Sequence, residues 1–452
     1  MKYDAIIIGA GLGGLSAGAF LSKAGRKVLV LEKTGSVGGR CRSIELMGHR
    51  YDVGADYFGR KMLRTFAALG KAKEVRPVKF RVLSHADGGT MTVPPGLHTV
   101  GDLRGLGLSS GEIASLGYKM FRQLSIMPYK ITNTNDLINF MTKNPRLRDI
   151  FNIGAFFSGN PPENMPAYWF RLVFGNTYGY NKPFYPKGGS GRLPEILADV
   201  IRENGGGIVF NAHPQKVLID GGSAKGVLVD GREVEAKAVI SGIGILPTIH
   251  SLAGKGRFPH GYLNTIGYYK EGFAMASLFA VFRRGAGIKK GVHIYARFVR
   301  DMKGMFGALK EGRFPDTSMW ILSCPDAADD PGTEHLAGTI KFLVPKGMTD
   351  RAAIEAEAQK VLKDTDTVVP GFYGSLVDWK LYTPRDYVEN LGFVSLVTPV
   401  AESVQYQKMG QETPVKGLYC VGSTVLPVGG CAASSVESGR LCARKILKTF
   451  NG

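Results

Sequence analysis

Three glycines near the start of the chain stand where a phosphate would need them. In DAIIIGAGLGGLSAGAFLSKAGRKVLVLEK, Gly9, Gly11 and Gly14 form a GxGxxG pattern, with Leu12 and Gly13 completing the turn. Gly9 permits a tight turn, Gly11 lets the backbone approach a pyrophosphate, and Gly14 permits close packing of a helix on a strand. The helix that follows turns unpaired N–H groups and its positive dipole end toward the anion. Glu32 comes 18 residues after Gly14, with Lys33 beside it. A carboxylate at the end of the second strand can accept both hydroxyls of a ribose. Strand, turn, helix and acid together point to a bound dinucleotide, which a bare glycine pattern would not.

A second series of residues extends this site. GSVGGRCRS supplies Gly38, Gly39 and Arg40; YDVGADYFG supplies Asp52 and Gly54, then Ala55, Asp56 and Tyr57; and GLYCVGSTVLPVGGCAASSVESGRLCARKI closes the chain. In these motifs the sequence resembles the FAD-dependent superfamily of phytoene desaturases, carotenoid isomerases, retinol saturases and amine oxidases. The likeness covers residues 1 to about 59, returns over 185–208, and closes over 417–446; it is faint between them.

The resemblance implies that the dinucleotide is FAD, held non-covalently. It places Gly38, Gly39 and Arg40 along the pyrophosphate and ribityl chain, where a guanidinium offers a fixed fork of donors. Ala55, Asp56 and Tyr57 would pass close to the isoalloxazine ring, and Asp56 and Tyr57 are the catalytic candidates. Gly422 and Ser423 would lie at the ribityl group. Gly430, Cys431, Ala432 and Ala433, at the start of the last helix, would face the flavin pyrimidine, where a helix N-terminus stabilises negative charge. Two positions depart from the pattern. Ser423 stands where many relatives carry an acid, which exchanges a charge-assisted bond for a neutral one. Pro214 falls where adenine usually meets both a backbone donor and a backbone acceptor, and proline offers only its carbonyl.

The elements that must position these residues follow from the apolar pattern. Residues 3–8 read as a buried parallel strand, 14–24 as a helix and 27–31 as the next strand. Further on, 193–204 reads as a helix, 207–210 as a strand, and 224–231 with 233–240 as strands around a DG turn. A strand at 417–421 leads to a last helix at 432–450. Residues 275–282 and 339–344 are strand-like and 351–363 is helical. The expected fold class is α/β: a Rossmann-like FAD-binding domain of glutathione reductase-type topology, with an inserted α+β substrate domain. The FAD-binding domain takes residues 1–75, 185–250 and 401–452; the substrate domain takes 76–184 and 251–400.

Composition narrows the function further. The chain has 452 residues and a net charge of +19, a field that attracts polyanions or simply aids solubility. No basic, aromatic-interleaved segment indicates nucleic acid. The aromatic stretch at 151–174 fits an apolar tunnel, a membrane-dipping surface or a helical core layer equally well. Cys41 has no nearby partner, which sets aside a disulfide reductase, and the five scattered cysteines suit a reducing compartment. Cys431 reads as a packed thiol or a flavin tether. The eight histidines show no ligand spacing, so no metal is expected. No secretory leader or apolar run of about 18 residues is seen. The expected place is cytoplasmic, with peripheral association with anionic membrane as the open alternative. The expected activity is hydride transfer between flavin and an apolar isoprenoid or lipid-like substrate, in a desaturation, saturation or isomerisation. A flavin amine oxidase and a non-catalytic flavin-binding partner protein are the alternatives. The electron acceptor is not specified by sequence.

Overall fold

The computed structural model describes residues 2–78, 81–86, 88–93, 98–125, 133–167, 170, 183–270, 272–285, 287–325, 332–392, 400–401, 408–427 and 432–451. Its first half runs through β1 (Tyr3–Ile8), α1 (Leu12–Lys23), β2 (Val28–Leu31), the hairpin β3 (Ser43–Leu46) and β4 (His49–Asp52), and the hairpin β5 (Arg81–Ala86) and β6 (Gly89–Val93). Then come α2 (Arg192–Glu203), β7 (Gly207–Val209), β8 (Pro214–Asp220), β9 (Ser223–Val229) and β10 (Arg232–Ser241). The remainder holds β11 (Ala274–Arg283), β12 (Val292–Phe298), β13 (Trp320–Ser323), β14 (His335–Val344), α3 (Arg351–Asp364), β15 (Leu376–Tyr382), β16 (Leu418–Cys420) and α4 (Ala432–Asn451).

The first sheet has the order β8-β9-β10-β1-β2-β7, with β16 on β10. β7, β2, β1, β10 and β16 pair in parallel, whereas β8, β9 and the start of β10 form an antiparallel extension. Both faces of the parallel part are covered, which is why its strands read as unbroken apolar runs. Ile7, Val30 and Ile240 face a core completed by α1, α2 and α4. Ile6, Ile8, Leu29 and Val239 face a second core with Val217, Val227, Ile245 and Ile249. Helix α1 begins at Leu12, two residues before the expected start, because Gly11 has the extended geometry of an N-cap, with φ −76 and ψ 170.

The second sheet, β15-β11-β14-β13-β12-β5-β6, is antiparallel except where β12 meets β5. One face packs on α3 through Ile354, Ala358, Val361 and Leu362. That helix starts at Asp350, whose carboxylate accepts from the Ala352 and Ala353 N–H groups at 2.9 and 3.2 Å. The other face packs on a helical layer that includes Phe151, Phe156 and Phe170, which are 2%, 0% and 5% exposed. Of the three readings of the aromatic stretch, the core layer describes these residues; side chains this buried cannot dip into a membrane. Trp169 lies outside the described residues.

Candidate functional site

The parallel strands of the first sheet end together: β1 at Ile8, β2 at Leu31, β10 at Ser241 and β16 at Cys420, so that Gly9, Glu32, Gly242 and Val421 follow their ends. In an open α/β sheet, ligands occupy the crevice beyond those carboxyl ends. Gly11 is partly exposed there, and a Cβ built on it meets nothing within 4 Å. Its neighbours differ. A Cβ on Gly13 would lie 2.7 Å from the Gly422 nitrogen, and one on Gly14 would lie 2.3 Å from the Gly9 carbonyl oxygen. Gly13 and Gly14 therefore serve packing, and Gly11 leaves open space. No side chain caps α1, so its first N–H groups remain for an anion. Gly9 takes the φ of +92 that its turn requires.

On one side of Gly11, the Glu32 carboxylate accepts from Ala10 N at 2.7 Å through Oε2 and from Thr34 N and Oγ1 at 2.9 and 2.8 Å through Oε1. Three of its roughly four lone-pair sites are thus used within the protein, leaving one for a ribose hydroxyl where the sequence suggested two. Lys33 is exposed beside it. Arg42, missed from sequence, is 6% exposed and ties this end together, donating to the Gly39 carbonyl at 3.1 Å and to Thr34 Oγ1 at 3.2 Å. The Ala212 N–H donates to the Glu32 carbonyl at 2.9 Å, which brings Pro214, the first residue of β8, into the same neighbourhood.

On the other side, Gly38 pairs with Gly11 as an isolated bridge, and Gly39 lies with its Cβ direction 3.6 Å from Gly11 Cα. Arg40 Nη2 donates to Ser423 Oγ at 2.9 Å, and Lys408 donates to the Ser423 carbonyl. Two residues 383 apart in sequence, each singled out for the same ligand, thus meet. Ala55, Ala432 and Ala433 pack half-buried on the α1–α4 core, whereas Tyr57 packs on the core of the second sheet. The loop after β4 consequently bridges the two cores. Gly430 and Cys431 lie outside the described residues.

Asp56 is buried, and its Oδ1 lies 2.6 Å from Lys341 Nζ, each side chain being 2% exposed. Lys341 was not anticipated, although it is the sole charge in the apolar run TIKFLV of β14. Beside the pair, His293 is fully buried and touches the Asp56 backbone. Burial pulls its imidazole down to about 3; the contact with the Asp56 backbone opposes this, and the Lys341 charge adds to it. The Tyr185 ring lies 4.3 Å from it, and the Tyr185 hydroxyl donates to Asp52. Asp52 also accepts from Ser43 Oγ at 2.6 Å and Ser190 N at 2.9 Å, yet burial raises its carboxyl. Cys41 and Cys420 are buried, and burial raises both thiols, Cys420 to about 12.

The open space at Gly11, the uncapped helix, the half-buried Arg40 and the residual acceptor of Glu32 fit an extended dinucleotide running from Glu32 past Gly11 to Ser423. Comparison with known proteins names it. At 23% identity, the chain is similar over 99% of its length, and 86% of the relative's, to the inactive all-trans-retinol 13,14-reductase of Danio rerio. It is 25% identical to the zeta-carotene-forming phytoene desaturase of Myxococcus xanthus, over 98% of this chain and 93% of that one. Its fold matches an oxidoreductase from Methanosarcina mazei with a TM-score of 0.73 and 20% identity, covering 98% of this chain and 100% of the other. The family model described as flavin containing amine oxidoreductase matches residues 12–447. An FAD-dependent oxidoreductase with a Rossmann-like cofactor fold, the chain belongs to the flavin containing amine oxidoreductase family.

Proposed function

We propose that this oxidoreductase acts on an apolar, isoprenoid or lipid-like substrate in a desaturation, saturation or isomerisation. When bound, FAD supplies the hydride chemistry, and the protein supplies position and exclusion of water. Gly11 and the α1 N-terminus hold the pyrophosphate, Glu32 and Lys33 flank the ribose, and Arg40 and Ser423 hold the middle of the cofactor. The Ala55–Tyr57 loop and the start of α4 lie at the reacting end, where Asp56 and Tyr57 stand closest to substrate. The cofactor domain is assembled from residues 1–75, 185–250 and 401–452, and the substrate domain from 76–184 and 251–400.

One observation carries the substrate class. The helical side of the second sheet, onto which Tyr57 turns, is lined by Ile294, Ala296, Ile321 and Leu343, with Tyr57, Phe157 and Phe273 only partly buried against them. Its charged and phenolic groups are matched within the protein: Asp56 to Lys341, and Tyr387 to Ser277 at 2.5 Å. Such a wall suits a hydrocarbon chain and leaves Asp56 engaged, so that it offers a protonated amine little. The retinol and carotenoid names of the relatives agree with this reading.

An anaerobic panel of isoprenoid, fatty acyl and amine compounds tests it. Isoprenoids should change the flavin absorbance in one redox direction and amines in neither. Rapid bleaching by simple amines would install the amine oxidase reading, and a flavin that no compound alters would install the non-catalytic one. The redox direction found names the class of electron partner. A cytoplasmic protein that associates peripherally with anionic membrane would meet such a substrate where it accumulates; the net charge of +19 supports this part of the proposal.

A further inference from the structure

Lys341 occupies the middle of β14, on the helical side of the second sheet, in register with Ser277 of β11 and Ile321 of β13. Its ammonium spends two donors on one short stretch of chain, reaching Asp56 Oδ1 at 2.6 Å and the Gly54 carbonyl at 3.1 Å. That stretch follows β4, whose hairpin precedes it, and is fastened on its other flank by Phe58, which exchanges backbone bonds with Phe184 at 2.9 and 2.8 Å. A loop belonging to the first core is thus clamped onto a strand of the second by a residue 285 positions away. Burying both charges is costly unless each neutralises the other. An apolar pair could fill the same space without that cost, which directs attention to what the two charges do where they stand.

We propose that Lys341 is a positioning residue of the flavin site: it fixes the Gly54–Tyr57 loop and, with Asp56, presents two opposite charges whose balance sets how readily the bound flavin is reduced. The inference rests on the assignment of this loop to the ring end of FAD. Reduction adds negative charge to the ring, which a nearby ammonium favours and a nearby carboxylate disfavours. Removing one member exposes the action of the other, and removing both restores neutrality.

The test uses the full-length protein loaded with FAD, measuring bound FAD per chain and the flavin reduction potential against a reference dye. Lys341→Met, which leaves the carboxylate alone, should shift the potential to more negative values. Asp56→Asn, which leaves the ammonium, should shift it to more positive values. The double variant Asp56→Asn/Lys341→Met contains no uncompensated buried charge, so it should fold and return close to the parent potential even if a single variant is too unstable to isolate. Full FAD occupancy with unchanged potentials, or single variants that shift in the same direction, would show a purely mechanical clamp and overturn the proposal. Parent protein that retains no FAD would instead overturn the cofactor assignment on which the inference stands.

Discussion

Gly11 and Gly13 stand two residues apart and face opposite constraints, which makes them a matched test of the site. A side chain on Gly11 would enter open space from an extended backbone that valine tolerates. Gly11→Val should therefore leave the apoprotein's stability within about 0.5 kcal/mol of the parent, as for an uncrowded surface change, and abolish FAD binding. A side chain on Gly13 would strike the Gly422 backbone at 2.7 Å; overpacking of this kind costs about 1–3 kcal/mol. Visible absorbance and thermal melting separate the two outcomes. A Gly11→Val protein that stays yellow would remove the pyrophosphate from this turn. Ser423 makes a finer case. As the acceptor that aims Arg40, it should cost FAD affinity when changed to alanine, by about 1.5–3 kcal/mol for a bond to a charged donor, or roughly tenfold or more. Sequence alone suggests that Ser423→Asp would tighten binding by restoring an acid. With Arg40 2.9 Å away, the new carboxylate would instead pair with the guanidinium and withdraw it from an anionic ligand, so weaker binding is expected, and FAD dissociation measured for both variants decides it.

At the scale of elements, the irregularity in β12 is the informative feature. Its register with β5 shifts between Val292 and Ile294, and a bulge re-aims the side chain it contains. His293 is thereby set against Tyr185 and the Asp56 backbone. Held neutral, with its pKa lowered to about 3 from the usual 6.5, it binds a proton more readily in the unfolded chain than in the folded one. Its contribution to stability is full above about pH 6.5 and falls as the pH drops toward 3, at up to about 1.4 kcal/mol per unit. Urea unfolding at a series of pH values should show this decline, and His293→Leu should flatten it; equal slopes would mean that the imidazole is not the group responsible. How much of the site was legible beforehand follows the same division between local and distant structure. The GxGxxG turn, Glu32 and the first parallel strands are set by spacings inside one strand–turn–helix–strand unit, so residue order alone positions them. Resemblance at both chain ends assigns Arg40 and Ser423 to the same ligand separately; their bond to each other is given by the fold. Lys341 and His293 reach Asp56 only through the strand order of the second sheet, which no local period encodes; the lone lysine in TIKFLV was the available signal. Arg42 was concealed by standing next to a stronger motif.

For the whole molecule, the excess of 19 positive charges must be weighed against the burial of Phe151, Phe156 and Phe170, which removes them as an apolar anchor. Each basic residue near an anionic lipid surface contributes on the order of 1 kcal/mol, within a Debye length that shrinks from about 30 Å at 0.01 M salt to about 8 Å at 0.15 M. Phe151, Phe156 and Phe170 belong to the core, so removing one of them tests folding: Phe170→Ser should cost about 3–5 kcal/mol, as for other buried Phe truncations, whether or not lipid is present. Among the described residues, Tyr118 and Phe140 are large side chains left 62% and 43% exposed on the helical layer, and Lys119 lies over the Phe140 ring at 5.5 Å to its centroid. An aromatic edge beside a cation is the pairing that settles at a lipid headgroup boundary. Flotation with liposomes should then show binding to anionic vesicles at low salt, little binding to neutral ones, and release as salt approaches 0.15 M. The double variant Tyr118→Ser/Phe140→Ser should melt like the parent, because neither side chain is buried, and should bind anionic vesicles less. Retention of full binding would assign adsorption to charge alone. If the parent stays out of the floating fraction at low salt with anionic lipid, peripheral association fails, and a substrate delivered through water becomes the better account of how this oxidoreductase is supplied.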